Sequence, residues 1–165
     1  MQKRILSLLV DNTAGVLSRI SGLFSRRGYN IDSLTVGVTA DERFSRMTVV
    51  CSGDEMILEQ ITKQLAKLVD VRDIKVLEPE DSVSRELVLV KVAARAEQRQ
   101  GIISIADIFR ANVVDVSKDS LVVEMTGTKS KLEAFIDLMG SYEILELART
   151  GVTGLSRGAK DVRFL

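Results

Sequence analysis

Twice along this chain the apolar pattern passes through the same succession of periods, strand, helix, strand, strand, helix, strand, and that repetition limits the fold more than any other feature. In the first pass, residues 4–10 hold Ile5, Leu6, Leu8, Leu9 and Val10, a nearly continuous run suited to a central strand. Val16, Ile20, Leu23 and Phe24 follow at helical spacing, with Ser18, Arg19, Ser25 and Arg26 on other faces and Gly28 where a helix stops. In residues 31–39, Leu34, Val36 and Val38 alternate with Thr35, Gly37 and Thr39. After the polar hairpin Asp41-Glu42-Arg43, residues 44–51 return with Met47, Val49 and Cys51 on one face and Arg46, Thr48 and Val50 on the other. Ser52-Gly53-Asp54 opens a second helix striped by Ile57, Ile61, Leu65 and Leu68, and residues 71–77 close the unit.

Glu78-Pro79-Glu80-Asp81-Ser82 contains the only proline beside consecutive acids, and it reads as a linker. The second pass then runs through a strand at 87–92 and a helix defined by Ile102, Ile105, Ala106 and Phe109. A hairpin at 113–116 and 121–125, a helix defined by Leu132, Phe135, Ile136 and Met139, and a strand at 144–147 complete it. The fold class is α+β, with two consecutive ferredoxin-like βαββαβ units at 1–78 and 86–165 joined by a linker at 79–85. Ile103 and Ile108 fall off the helical stripe and read either as partner-facing or as scattered surface aliphatics. Gly151, Gly154 and Gly158 interrupt the tail, which reads as a frayed terminus or as a segment that orders on a partner.

Charge and composition remove whole classes of function. Lys and Arg total 23, as do Asp and Glu, so no net field draws the chain to nucleic acid or anionic lipid. An RNA-recognition module shares this strand and helix order but stacks bases on aromatic residues, which residues 5–10 and 47–51 lack. The chain has no His, so Ser/His/Asp and Cys/His triads and His-based metal sites are absent. A single Cys forms no internal disulfide, and Cys51 reads as a small buried apolar residue. No apolar run suits a signal peptide or a bilayer span, so the expected compartment is the cytoplasm.

One junction has chemical potential. From Leu8 to Leu17 an apolar strand passes through Asp11-Asn12-Thr13-Ala14-Gly15 into a helix, where unpaired backbone N–H groups and the helix dipole favour a small anion. Asn12 or Thr13 is placed to cap the helix, and Gly15 has no Cβ to obstruct a ligand. Taken alone, the stretch reads either as an ordinary capped turn or as a carboxylate site.

Asp11-Asn12-Thr13-Ala14-Gly15-Val16-Leu17-Ser18-Arg19, followed by Leu23-Phe24-Ser25-Arg26-Arg27-Gly28-Tyr29-Asn30-Ile31-Asp32-Ser33-Leu34, resembles an ACT domain. More closely it resembles the small regulatory subunits of acetolactate synthase (acetohydroxyacid synthase). The likeness continues through Ser45-Arg46-Met47-Thr48, Gln64-Leu65-Ala66-Lys67-Leu68-Val69-Asp70-Val71 and Arg85-Glu86-Leu87 to Ala148-Arg149-Thr150-Gly151 and Gly154-Leu155-Ser156-Arg157-Gly158. Residues 95–105 match least, and Asp11 stands where many members carry Glu.

The resemblance implies that residues 1–78 form an ACT domain pairing edge to edge in a homodimer, with no catalysis by this chain. The implied partner is a large catalytic subunit carrying thiamine diphosphate, Mg and FAD, with no cofactor on this chain. The implied ligand is valine, or isoleucine or leucine in its place. By position, Asn12, Thr13, Ala14, Gly15 and Val16 of one copy hold the effector carboxylate, and Asn30 and Ile31 of the other meet its amino group and side chain. An ACT-type sensor serving a different enzyme is the alternative.

Overall fold

The structure, a computed structural model, describes residues 1–159. It divides into two compact units: Met1–Ser84 together with the segment that begins at Val152, and Arg85–Gly151.

In the first unit, β1 (Gln2–Asp11), α1 (Val16–Arg26), β2 (Ile31–Val38), β3 (Phe44–Gly53), α2 (Glu55–Ala66) and β4 (Val71–Val76) follow the expected order. The sheet order is β2-β3-β1-β4, and every neighbouring pair is antiparallel. Strand alternation explains the packing: Leu6, Leu8 and Val10 of β1 and Met47, Val49 and Cys51 of β3 meet Val16, Ile20, Leu23 and Phe24 of α1 in one core. On α2 the fully buried stripe is Leu58, Ile61 and Leu65; the expected Ile57 packs only partly against the core, as does Leu68, which lies past the end of the helix. Burial raises the Cys51 thiol to about 11, as befits an unreactive core residue.

The second unit contains most of β5 (Ser82–Ala93), then α3 (Ala96–Ile108), β6 (Asn112–Val116), β7 (Ser120–Gly127), α4 (Lys129–Met139) and β8 (Ile144–Arg149). Its strands run β6-β7-β5-β8, again with antiparallel neighbours, and Val88, Val90, Val92, Ile102, Leu121, Val123, Leu132 and Phe135 fill its core. Both units are ferredoxin-like.

Three expectations change here. Residues expected as a linker form a short 3-10 turn (Pro79–Asp81) and the start of β5, where Ser82 is buried and its Oγ donates to Glu78 O at 2.6 Å. Ile103 packs partly against the second core, whereas Ile108 is 77% exposed. The tail, expected with the second unit, clusters with the first over residues 152–159, and its strand β9 (Thr153–Ser156) pairs with β5. Residues 160–165 of that expected tail lie outside the described residues.

Candidate functional site

Strand β1 ends at Asp11, and the chain crosses to α1 through Asn12, Thr13, Ala14 and Gly15, all four exposed. Asn12 does not cap the helix. Its N–H donates to Arg43 O at 2.8 Å and its Nδ2 to Glu42 O at 2.9 Å, so the residue ties the loop to the β2–β3 hairpin. That hairpin is itself held by Asp41, whose carboxylate accepts from Arg43 Nη2 and from the Arg43 N–H. These bonds keep the Asp41 carboxyl at about 2.

The helix cap is Gly15, with φ +87°, a conformation that suits glycine, and no side chain closes the first turn of α1. Thr13 therefore does not cap either. Helix α2 is the contrast, since Asp54 accepts from Ile57 N and Glu55 adds negative charge to the first turn. The start of α1 keeps its N–H groups open and carries no acidic residue. Val16, the last residue of the candidate loop, is 4% exposed and anchors the turn in the core.

A cation lies over this turn that sequence reasoning did not assign. A Cβ on Gly15 would stand 2.9 Å from Arg19 Nη1. The Arg19 guanidinium is fixed by Asp70, with Nε to Oδ2 at 2.5 Å and Nη2 to Oδ1 at 3.0 Å, which lowers the Asp70 carboxyl from its usual range. The Asp70 carbonyl accepts from Asp11 N at 2.9 Å, and Asp11 pairs with Arg72 at 2.7 Å. Alternating charges thus brace the junction. Their separation of 51 or 61 residues carries no local sequence signal.

Asn30 and Ile31 lie elsewhere. Gly28, with φ +69°, ends the helical region, and Tyr29 N donates to Phe24 O at 2.9 Å, steering the chain into β2. Asn30 is exposed with its Nδ2 donating to Asp32 Oδ1 at 2.6 Å, and Ile31 packs partly against the core. In register, Ile31 lies across from Cys51 and Cys51 across from Arg4, whereas the Asn12 loop leaves the sheet at Asp11, opposite Phe44. Seven strand steps at about 3.3 Å each separate the two ends by roughly 23 Å. One copy of the chain does not bring Asn12–Val16 and Asn30–Ile31 together. Between them runs the edge strand β2, on which Val36 is 48% and Val38 58% exposed.

Among the described residues, no three His, Cys, Asp or Glu side chains converge to hold a metal, and no helix is long and apolar enough to cross a membrane.

Residues 6–73 match the family model for acetohydroxyacid synthase (AHAS) small subunit-like ACT domains, and residues 85–158 match the model for the small subunit of acetolactate synthase. The acetolactate synthase small subunit of Mycolicibacterium smegmatis is 52% identical over 157 residues, spanning 95% of this chain and 92% of its own length. The isozyme 3 small subunit of Salmonella typhimurium is 49% identical over 162 residues, spanning 98% and 99%. The crystal structure of the acetolactate synthase small subunit from Thermotoga maritima superposes with a TM-score of 0.90 at 39% identity, covering 96% of this chain and 99% of that one. With near-complete coverage at about half identity and the same fold in both units, this chain belongs to the acetolactate synthase small-subunit family.

Proposed function

We propose that this chain senses a free branched-chain amino acid, valine foremost, with isoleucine or leucine as the alternatives, and conveys its concentration to an acetolactate synthase catalytic subunit that it also activates. The observation that supports this reading is that the start of α1, which no side chain caps, lies beside the β2–β3 hairpin at one end of the edge strand β2, and Asn30 and Ile31 lie at the other. Two copies paired along β2, antiparallel and about a two-fold axis, set each loop beside Asn30 and Ile31 of the other copy, twice per dimer. The same pairing covers the exposed Val36 and Val38 and removes an open sheet edge.

In such a site the N–H groups of the Asn12–Val16 turn receive the carboxylate, with Gly15 permitting close approach. Asn30 already engages Asp32 through Nδ2, so Oδ1 is the atom offered to the ammonium group, and Ile31 lines the aliphatic pocket. A ligand shared by two copies favours one placement of the pair over another, to the extent of its differential affinity. The condensation chemistry stays with the large subunit, which carries thiamine diphosphate, Mg and FAD. The cytoplasm is the compartment this role implies.

Mixing two crippled copies tests the arrangement. Gly15→Asp and Asn30→Ala proteins each lose valine binding by calorimetry when studied alone. After subunit exchange, half of the dimers are mixed and each mixed dimer holds one intact site, so roughly a quarter of the native capacity returns. A mixture that regains nothing while demonstrably exchanging subunits overturns the shared site.

A further inference from the structure

The returning tail grips the strand that begins at Ile31. Both backbone polar groups of Val152 are taken by side chains of β2: its N–H donates to Ser33 Oγ at 2.8 Å, and its carbonyl accepts from Thr35 Oγ1 at 3.0 Å. Ser33 and Thr35 are two residues apart and so share a face of the strand, while Leu34 between them packs against the core on the opposite face. Two residues before Val152, Thr150 is bound just as firmly to β5, its N–H donating to Leu87 O at 3.0 Å and its Oγ1 accepting from Leu87 N at 3.1 Å. Only Gly151, with φ +90°, separates the two grips. Beyond Val152 the segment stays pinned. A Cβ on Gly154 would meet Leu77 Cδ1 at 3.0 Å and Val83 O at 3.1 Å, and Arg157 N donates to Asp81 O at 2.7 Å.

We infer that this strap transmits effector occupancy from the start of β2 to β8, with Ser33 and Thr35 as the positioning residues that couple the strand to the tail. The inference rests on the effector site proposed above. A ligand drawn to Asn30 and Ile31 acts one turn of the pleat from Ser33, across a register shift between Ile31 and Ser33 that interrupts the ladder to β3. A shift of Ser33 and Thr35 either carries Val152 with it or leaves an N–H and a C=O without partners. Since one residue joins Val152 to Thr150, and Thr150 directly follows β8, the strand that feels the pull is Ile144–Arg149.

Amide hydrogen exchange on the full-length protein, with and without saturating valine, reads this coupling. In the native protein valine slows exchange at residues 30–35 and also in β8. In Ser33→Ala/Thr35→Val the affinity for valine measured by calorimetry stays within about threefold and residues 30–35 still respond, but the response of β8 falls at least about fivefold. Thr35→Val alone, which keeps the side-chain shape, repeats the test with less disturbance to packing, and Thr35→Ser, which keeps the hydroxyl, retains the native response. A β8 response as large in the double variant as in the native protein overturns the strap. So does a native protein that binds valine with no change in β8. Failure of the native protein to bind any of valine, isoleucine or leucine instead overturns the effector site, and the coupling falls with it.

Discussion

Arg19 and Asp70 meet across 51 residues of sequence as a two-pronged ion pair, and the third guanidinium nitrogen, Nη1, lies over Gly15 at the mouth of α1. The carboxylate belongs to the residue just before β4, and its side chain is only 8% exposed, whereas Arg19 is about half exposed. One pair therefore fixes both the approach of α1 to β4 and the location of a positive charge beside the candidate carboxylate site.

Replacing Asp70 with Asn removes this clamp and should lower the melting temperature at pH 7. The bonds from Arg19 hold the Asp70 carboxyl below the ordinary carboxylate range. Its stabilising contribution is thus complete above the unfolded-state value near pH 4 and disappears as the pH falls towards the lower folded-state value. Melting curves of native and Asp70→Asn proteins, followed by circular dichroism, should differ most at neutral pH and converge in strong acid. A constant difference across the range would show that the charge is not what stabilises the contact.

Two substitutions at Gly15 should separate backbone strain from charge. Alanine there must adopt φ +87°, at a cost of about 1–2 kcal/mol, and it displaces only the far end of the Arg19 side chain. Aspartate carries the same strain and adds a carboxylate that pairs with Arg19 and competes with the ligand for the open N–H groups of the turn. Calorimetry should find valine binding weakened up to about tenfold in Gly15→Ala and at least a hundredfold in Gly15→Asp. Equal losses in the two variants would mean that the turn does not hold an anion.

The second unit has its own half-buried ion pair, in which Arg149 Nε and Nη2 donate to Glu86 Oε1 and Oε2 at 2.8 and 2.9 Å. Arg149→Lys keeps the charge but not the planar fork, and should destabilise the protein by about 1–2 kcal/mol. The Arg149 bonds lower the Glu86 carboxyl, so this difference too should fade as acid protonates Glu86. Chemical denaturation at pH 7 and pH 3 measures both effects. A lysine variant as stable as the native protein would show that the fork geometry contributes nothing.

The elements themselves were legible because their cause is local. Val16, Ile20, Leu23 and Phe24 form a helical stripe in the sequence and a buried stripe in the structure, and the run from Ile5 to Val10 becomes a central strand. What escaped depends on partners far away in sequence. Asn12 is a good local cap, yet its side chain is drawn to Glu42 O, 30 residues on, and Gly15 takes the cap position. The glycine-rich tail has too short a pattern to signal a strand, and its anchoring bonds from Val152 reach back 117 and 119 residues to Thr35 and Ser33. The candidate loop and Asn30 were both visible as motifs, but their placement at opposite ends of β2 required the register. Ile103, off the helical stripe, is covered by a core whose width periodicity alone does not reveal.

Gly101 lies inside α3, where alanine in place of glycine ordinarily stabilises by about 0.5–1 kcal/mol. At this position the Tyr142 hydroxyl fills the space a Cβ would need, closer than real Cβ contacts allow. The ring packs against the second core and its backbone N–H is held by Met139 O at 3.0 Å, so it retreats only by disturbing that packing. Gly101→Ala should therefore destabilise the protein by about 1–3 kcal/mol despite its better helix propensity. Removing the hydroxyl relieves the clash, so Tyr142→Phe/Gly101→Ala should recover much of the loss while Tyr142→Phe alone changes stability little. The coupling energy from the four proteins, measured by denaturation, isolates the contact. A cycle with no coupling, or a Gly101→Ala protein more stable than the native one, would place the hydroxyl away from the helix.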